Sequence, residues 1–239
     1  MGARTRNPPG RVAAVLVTFE PVTEVRVRRV GLLSELHRYP LKSARGESLT
    51  EVAVGRGGLD QDRRWAATDV DGAVLSAQRA PGLRAVSASS DGGSLVVGSG
   101  QTDPVVALSS LLGRPVGLHD AGAGTETAAH QQVAAVHVVS LGAAAAADAP
   151  SGCDPDPRAN LVLDLDHPGA ERGWLGRELA VGEVRLRVTR TPSSCFGVYA
   201  DVVAPGRVRV GDPVLLVGES EDRPGADGAS GSEAPAARG

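Results

Sequence analysis

Val184-Arg185-Leu186-Arg187-Val188 places three apolar side chains on one side of an extended chain and two arginines on the other. A period of two belongs to a strand with one buried face, because successive side chains point to opposite sides of a sheet. The same pattern extends outward from this segment. Upstream, Leu161-Val162-Leu163-Asp164-Leu165 reads as a strand, and Val25 and Val27 alternate with Arg26 and Arg28 before a second apolar run over 30–36. Residues 65–68, the pair Asp71-Gly72 and residues 73–75 predict a hairpin, since Asp-Gly supplies the positive φ angles of a tight turn. Gly92-Gly93 ahead of Leu95-Val96-Val97 predicts another, and the pattern closes with strand-like sequence over 208–217. Helical signals are few. Residues 104–113 form a short helix ended by Gly113 and Pro115. A strand over 136–139 leads to Ser140 as N-cap of a helix through 143–147, stopped by Pro150. The expected class is mainly β with a few short helices, many short strands closing into a barrel-like sheet.

The 239 residues suit one large domain or two small ones sharing a seam. Aromatic residues make up only 3%, so the core is expected to be built from Val, Leu and Ala. A net charge of −3 provides no basic field to recruit nucleic acid or anionic lipid. No stretch approaches the roughly 20 apolar residues of a membrane helix. The expected partner is therefore a small-molecule substrate, with no nucleic acid and no membrane. The apolar run over 12–17 is too short for a signal-peptide core. Two cysteines, Cys153 and Cys195, fit a reducing compartment, and a cytoplasmic location is expected. Composition divides the chain into a flexible leader (1–24), a β-rich half (25–118), a linker (119–130), a second half (131–218) and a disordered tail (219–239).

Four clusters carry chemistry. In Tyr39-Pro40-Leu41-Lys42-Ser43 an ammonium and a hydroxyl are available to an anion; a plain surface loop is the competing reading. In Asp62-Arg63-Arg64-Trp65, Arg63 can fork two hydrogen bonds onto a phosphate, or pair with Asp62 at a sheet edge. Arg79, after the first hairpin, reads more readily as solvated. Arg158 and Asn160 stand at i and i+2 on an expected strand, side by side, as suits phosphate plus heterocycle; charged residues at a strand entry are also commonplace. In Thr191-Pro192-Ser193-Ser194-Cys195-Phe196-Gly197 a polar turn presents one thiol, and a thiolate near cations is a nucleophile or a soft metal ligand. Cys153, among Pro and Asp, reads as a bystander. The five histidines show no metal-site spacing, Asp69-Val70-Asp71-Gly72 lacks the remaining ligands of a calcium loop, and Gly98-Ser99-Gly100 lacks the rest of a dinucleotide fingerprint.

In chain order these pieces resemble one family: YPLKS (39–43), GLDQDRRW (58–65), Arg79 before Pro81, HVVS (137–140), RAN followed by LVLD (158–164), GWLGREL (173–179), a lone Cys195 and PGRVRVGDPV (205–214). Over about residues 28–218 the chain is similar to MOSC-domain proteins, the molybdenum cofactor sulfurase C-terminal domain family, with their N-terminal β-barrel, and to the amidoxime-reducing components. The resemblance implies a MOSC barrel and a smaller N-terminal barrel half sharing a cofactor cleft. It implies a molybdopterin-type molybdenum cofactor, with pyridoxal phosphate binding also associated with the family. Carried over by position, Cys195 is the molybdenum ligand and catalytic residue. Lys42, Ser43, Arg63, Ser140, Arg158, Asn160 and Ser194 are cofactor-binding. Ser194 stands where the eukaryotic amidoxime reducers have an arginine, and the tail holds no cysteine for an appended iron–sulfur cluster. The implied function is an oxidoreductase reducing N-hydroxylated or N-oxide-type substrates, with electrons from a separate flavin or iron–sulfur protein. The alternative is a sulfur carrier, or a protein handling the cofactor, working through a Cys195 persulfide; an inert binding barrel ranks third.

Overall fold

The computed structural model describes residues 26–98, 102–122, 134–143, 158–192 and 196–218. The expected leader and tail, most of the linker, the helix beyond Ala143, and Cys153, Ser194 and Cys195 lie outside the described residues.

In chain order the strands are β1 (Arg26–Arg38), β2 (Glu47–Leu49), β3 (Glu51–Gly55), β4 (Gly58–Leu59), β5 (Trp65–Thr68), β6 (Ala88–Asp91), β7 (Ser94–Val97), β8 (Gly117–Asp120), β9 (Val136–Ser140), β10 (Leu161–Leu165), β11 (Glu178–Val181), β12 (Val184–Arg190), β13 (Val198–Ala204), β14 (Gly206–Arg209) and β15 (Pro213–Gly218). Helix α1 (Pro104–Leu112) lies between β7 and β8. Its N-terminus is capped by the Asp103 carboxylate, which accepts the Val105 and Val106 amides, and its C-terminus ends on Gly113 at φ 65. The expected mainly β class, with few helices, is what the chain forms.

Seven strands close into a barrel in the order β10-β9-β13-β12-β11-β15-β1, the circle completed by β1 pairing back to β10. Only β9 and β10 run parallel. Closure removes the open edges that a seven-stranded open sheet would otherwise expose. β12 behaves as its alternation requires: Val184, Leu186 and Val188 are buried while Arg185 and Arg187 face outward onto Glu178. Together with Leu33, Leu36, Leu163, Leu179 and Leu216 they form the barrel core. Each such buried leucine or valine contributes about 1.5–3 kcal/mol relative to exposure.

A second core gathers Leu41, Trp65, Leu75, Leu83, Leu95, Val97, Leu108 and Val116 under α1 and the short sheets β5–β8 and β6–β7. The Gly92-Gly93 hairpin forms as expected, with both glycines at positive φ between β6 and β7.

Three local expectations change. The two apolar runs near the start are one 13-residue strand, β1, bent by irregularities at Arg29/Gly31 and Leu33/Glu35 so that it serves both β15 and β10. The hairpin expected from Asp71-Gly72 shrinks to a single Thr68–Val74 bridge, because β5 takes β8 as its ladder partner. The closing segment splits into β14 and β15 around Gly211.

Candidate functional site at the seam between the two cores

Immediately after β1 the chain enters the seam. Tyr39-Pro40-Leu41-Lys42 is stitched to Arg63-Arg64-Trp65 by backbone bonds: Arg63 N–H to Tyr39 O (2.7 Å), Trp65 N–H to Pro40 O (3.0 Å) and Lys42 N–H to Trp65 O (2.8 Å). The buried Asp62 carboxylate accepts the Tyr39 amide at 2.8 Å and pairs with the Arg63 guanidinium. Arg63 then reaches across to the second half of the chain, donating to Arg158 O at 3.2 Å and Asn160 Oδ1 at 3.4 Å. The guanidinium also lies over the Tyr39 ring, 5.2 Å from its centre, and the Tyr39 hydroxyl donates to Ala159 O at 3.2 Å.

Three cations converge here. Burial is the largest cause holding the Lys42 ammonium below its ordinary value, and the neighbouring Arg63 and Arg158 charges push it further down. Like charges at close quarters repel, and the Asp62 carboxylate with the Arg158 and Asn160 oxygens offsets this at Arg63. The backbone here is strained as well: among the described residues, the non-glycine positions with positive φ are Ser43, Gln61, Arg63 and Arg158, at 68, 65, 52 and 47°. All four lie in the segments that build this cluster. Non-glycine residues in that region are uncommon and concentrate where a ligand site imposes them. A half-buried cluster of one ammonium and two guanidiniums can hold a phosphate or another polyanion.

The other expected site residues fall as follows. The Ser43 hydroxyl accepts the Ala77 amide at 3.1 Å on the rim of the cluster. β10 starts at Leu161, so the side-by-side placement expected of Arg158 and Asn160 does not arise: Arg158 is in the left-handed region and Asn160 turns inward. Asn160 is buried, its Oδ1 accepting the His137 amide (3.1 Å) as well as Arg63, and its Nδ2 donating to His37 O (3.3 Å). Ser140 is the last residue of β9, buried, and its hydroxyl accepts the Gly169 amide at 2.7 Å; the helix it is expected to cap lies, beyond Ala143, outside the described residues. Arg79 is exposed. The Asp69 carboxylate is spent on the Asp71 and Ala73 amides, a turn contact.

Sequence reasoning passed over Tyr39 and His137. Tyr39 stands inside the quoted YPLKS, but nothing local shows that its ring supports a guanidinium. It also lines a cleft of about 540 Å³ with Glu35, His37, Arg45 and the apolar Val139, Ala159 and Val162. His137 was legible only as a histidine inside an apolar strand.

The fold and seam define a closed β-barrel protein with a smaller β-rich lobe and a cation cluster where they meet. Residues 30–138 match the family model of the MOSC N-terminal beta barrel domain, the N-terminal part of the family that the sequence resembles. No curated protein matches the chain. Among solved structures, it is similar to the YUAD protein from Bacillus subtilis, with a TM-score of 0.44 and 11% identity over 81% of this chain and 98% of that one. A second, titled only as a hypothetical protein, has a TM-score of 0.40 and 12% identity over 81% of this chain and 71% of that one. No described helix is long and apolar enough to cross a membrane.

Proposed function

We propose that the chain holds a molybdopterin-type molybdenum cofactor at the seam and acts as an oxidoreductase on small N-hydroxylated or N-oxide-type substrates, as the amidoxime-reducing components do. Electrons come from a separate flavin or iron–sulfur protein. The observation that carries this reading is the convergence of Lys42, Arg63 and Arg158, drawn from both halves of the chain, with the Lys42 ammonium destabilised until an anion joins it. That cluster fits the phosphate end of the group. Arg63 supplies the planar fork, its aim set by Asp62 and Asn160. Lys42 and Arg158 add charge that a phosphate neutralises. Cys195 is the proposed thiolate ligand, a soft donor suited to a metal held by other sulfurs. When bound, the cofactor supplies two-electron redox chemistry at molybdenum.

Metal and pterin analysis of the protein purified from a molybdopterin-producing host tests the reading. Near-stoichiometric molybdenum and pterin are expected, with molybdenum lost in Cys195→Ser and pterin retention weakened in Arg158→Met. A parent protein that carries neither refutes it, and a sulfur adduct on Cys195 in the intact mass, without metal, points to sulfur carriage instead.

A further inference from the structure

Of the 25 lysine and arginine residues in the chain, Lys42 is the sole lysine. Every other such charge is a guanidinium, which stays protonated, whereas an amine that sheds its proton becomes a nucleophile. The place of that single amine is therefore informative. Lys42 is half-buried in the turn after β1, its backbone amide bonded to Trp65 O at 2.8 Å. Burial, and then the Arg63 and Arg158 charges, hold its ammonium below the ordinary value. At a given pH more of Lys42 is the neutral amine than of an exposed lysine.

The guanidiniums suit the other end of a reagent. Arg63 is held by Asp62, Arg158 O and Asn160 Oδ1. Arg158 stands on strained backbone at φ 47, and Ser43, at φ 68, brings a hydroxyl to the rim. Guanidiniums fixed in this way bind phosphoryl oxygens in pairs. An electrophile that fits both halves carries a phosphoryl group for the arginines and, one oxygen away, a carbonyl carbon for the amine. Acyl phosphates have that arrangement. A phosphate ester lacks the acyl carbon, and a thioester lacks the phosphoryl oxygens. The same cations also stabilise the charge that collects on phosphate as it departs.

We propose that Lys42 is an acylation site selective for acyl phosphates, Arg63 and Arg158 holding the phosphoryl group while the Lys42 amine attacks the acyl carbon. The N–C bond forms and the C–O bond to phosphate breaks, its electron pair leaving with the phosphate. That phosphate takes up the proton the amine sheds, so the products are an amide on Lys42 and inorganic phosphate. Acylation removes the ammonium charge and thereby weakens the cluster for anions. The site is shared with the proposed function, but the acylation needs no metal.

The test uses the full chain from a host without molybdopterin, incubated with acetyl phosphate and followed by intact and peptide mass. Lys42 should be acetylated about ten-fold faster or more than Nα-acetyl-lysine methylamide in the same solution, because the phosphoryl group is bound beside the amine. Pyrophosphate should suppress the reaction, and Lys42→Arg should abolish the adduct. The control donor is p-nitrophenyl acetate, which has no phosphate. Arg158→Met should lower the ratio of the acetyl phosphate rate to the p-nitrophenyl acetate rate about ten-fold, which a change in amine basicity alone does not do. Lys42 reacting no faster than the model amine overturns the proposal, as does failure of pyrophosphate to protect or an unchanged donor ratio in folded Arg158→Met. Should Arg158→Met not fold, the protection and the parent's rates decide. Failure here in a chain that takes up molybdenum leaves the cofactor reading standing, and selective acetylation in a chain that never does leaves the acylation site alone.

Discussion

Arg63 is the residue on which the seam turns, because it touches Asp62, Tyr39, Arg158 and Asn160 at once. Lysine keeps the charge but not the fork. Arg63→Lys is expected to weaken binding of inorganic pyrophosphate about ten-fold by calorimetric titration, with a loss of stability of about 1–2 kcal/mol for the bonds left unmade. Asp62→Ala does worse to the fold, since it strips the partner from a half-buried guanidinium and from the Tyr39 amide. We expect about 3 kcal/mol of destabilisation in urea melts. Lys42 behaves in the opposite sense. Its folded pKa lies below the unfolded value of 10.5, so the native state sheds its proton first as pH rises. The unfolded chain then binds more protons, and stability climbs between the lowered value and 10.5. Lys42→Met should abolish that alkaline rise in thermal melts and be at least as stable as the parent at neutral pH, while losing pyrophosphate affinity.

At the scale of the element, β12 and the turn before β13 make contrasting demands. Leu186 is fully buried in the barrel core, and Leu186→Ala should cost about 2–5 kcal/mol. Arg187, one residue on, faces solvent and pairs with Glu178. Its replacement by Ala should cost less than about 1 kcal/mol, because exposed pairs contribute little. Denaturant melts of the two variants check the alternation directly. Gly197 has φ 75 and no room for a side chain against Val138. Gly197→Ala therefore combines left-handed strain with a backbone collision, and we expect about 3 kcal/mol or more of lost stability.

For the whole molecule, the telling fact is that β1 closes the barrel formed mostly by the later part of the chain. Its pairing with β10 and β15 joins residues more than a hundred positions apart. The barrel core correspondingly mixes Leu33 and Leu36 with Leu163 and Leu216. A fragment of residues 131–239 alone lacks the closing strand and should show no cooperative thermal transition. Adding a fragment of residues 1–122 should restore one, detectable by near-ultraviolet circular dichroism. An independent transition in the later fragment would contradict the account of closure.

The sequence by itself determined the mainly β class, the individual strands β10 and β12, the Gly92-Gly93 hairpin and helix α1, because each rests on a short-range period, turn or cap. It also marked Lys42, Arg63 and Arg158 each as a cation available to an anion, in three separate clusters. Only the tertiary structure decided which strands pair, since ladder partners are chosen by packing over long separations that no local pattern records. The same holds for Asn160 turning inward, for Tyr39 carrying a guanidinium and for His137 reaching Phe196. Each depends on a neighbour brought up by β1, β9 or β13, and an extended chain read alone contains no such neighbour.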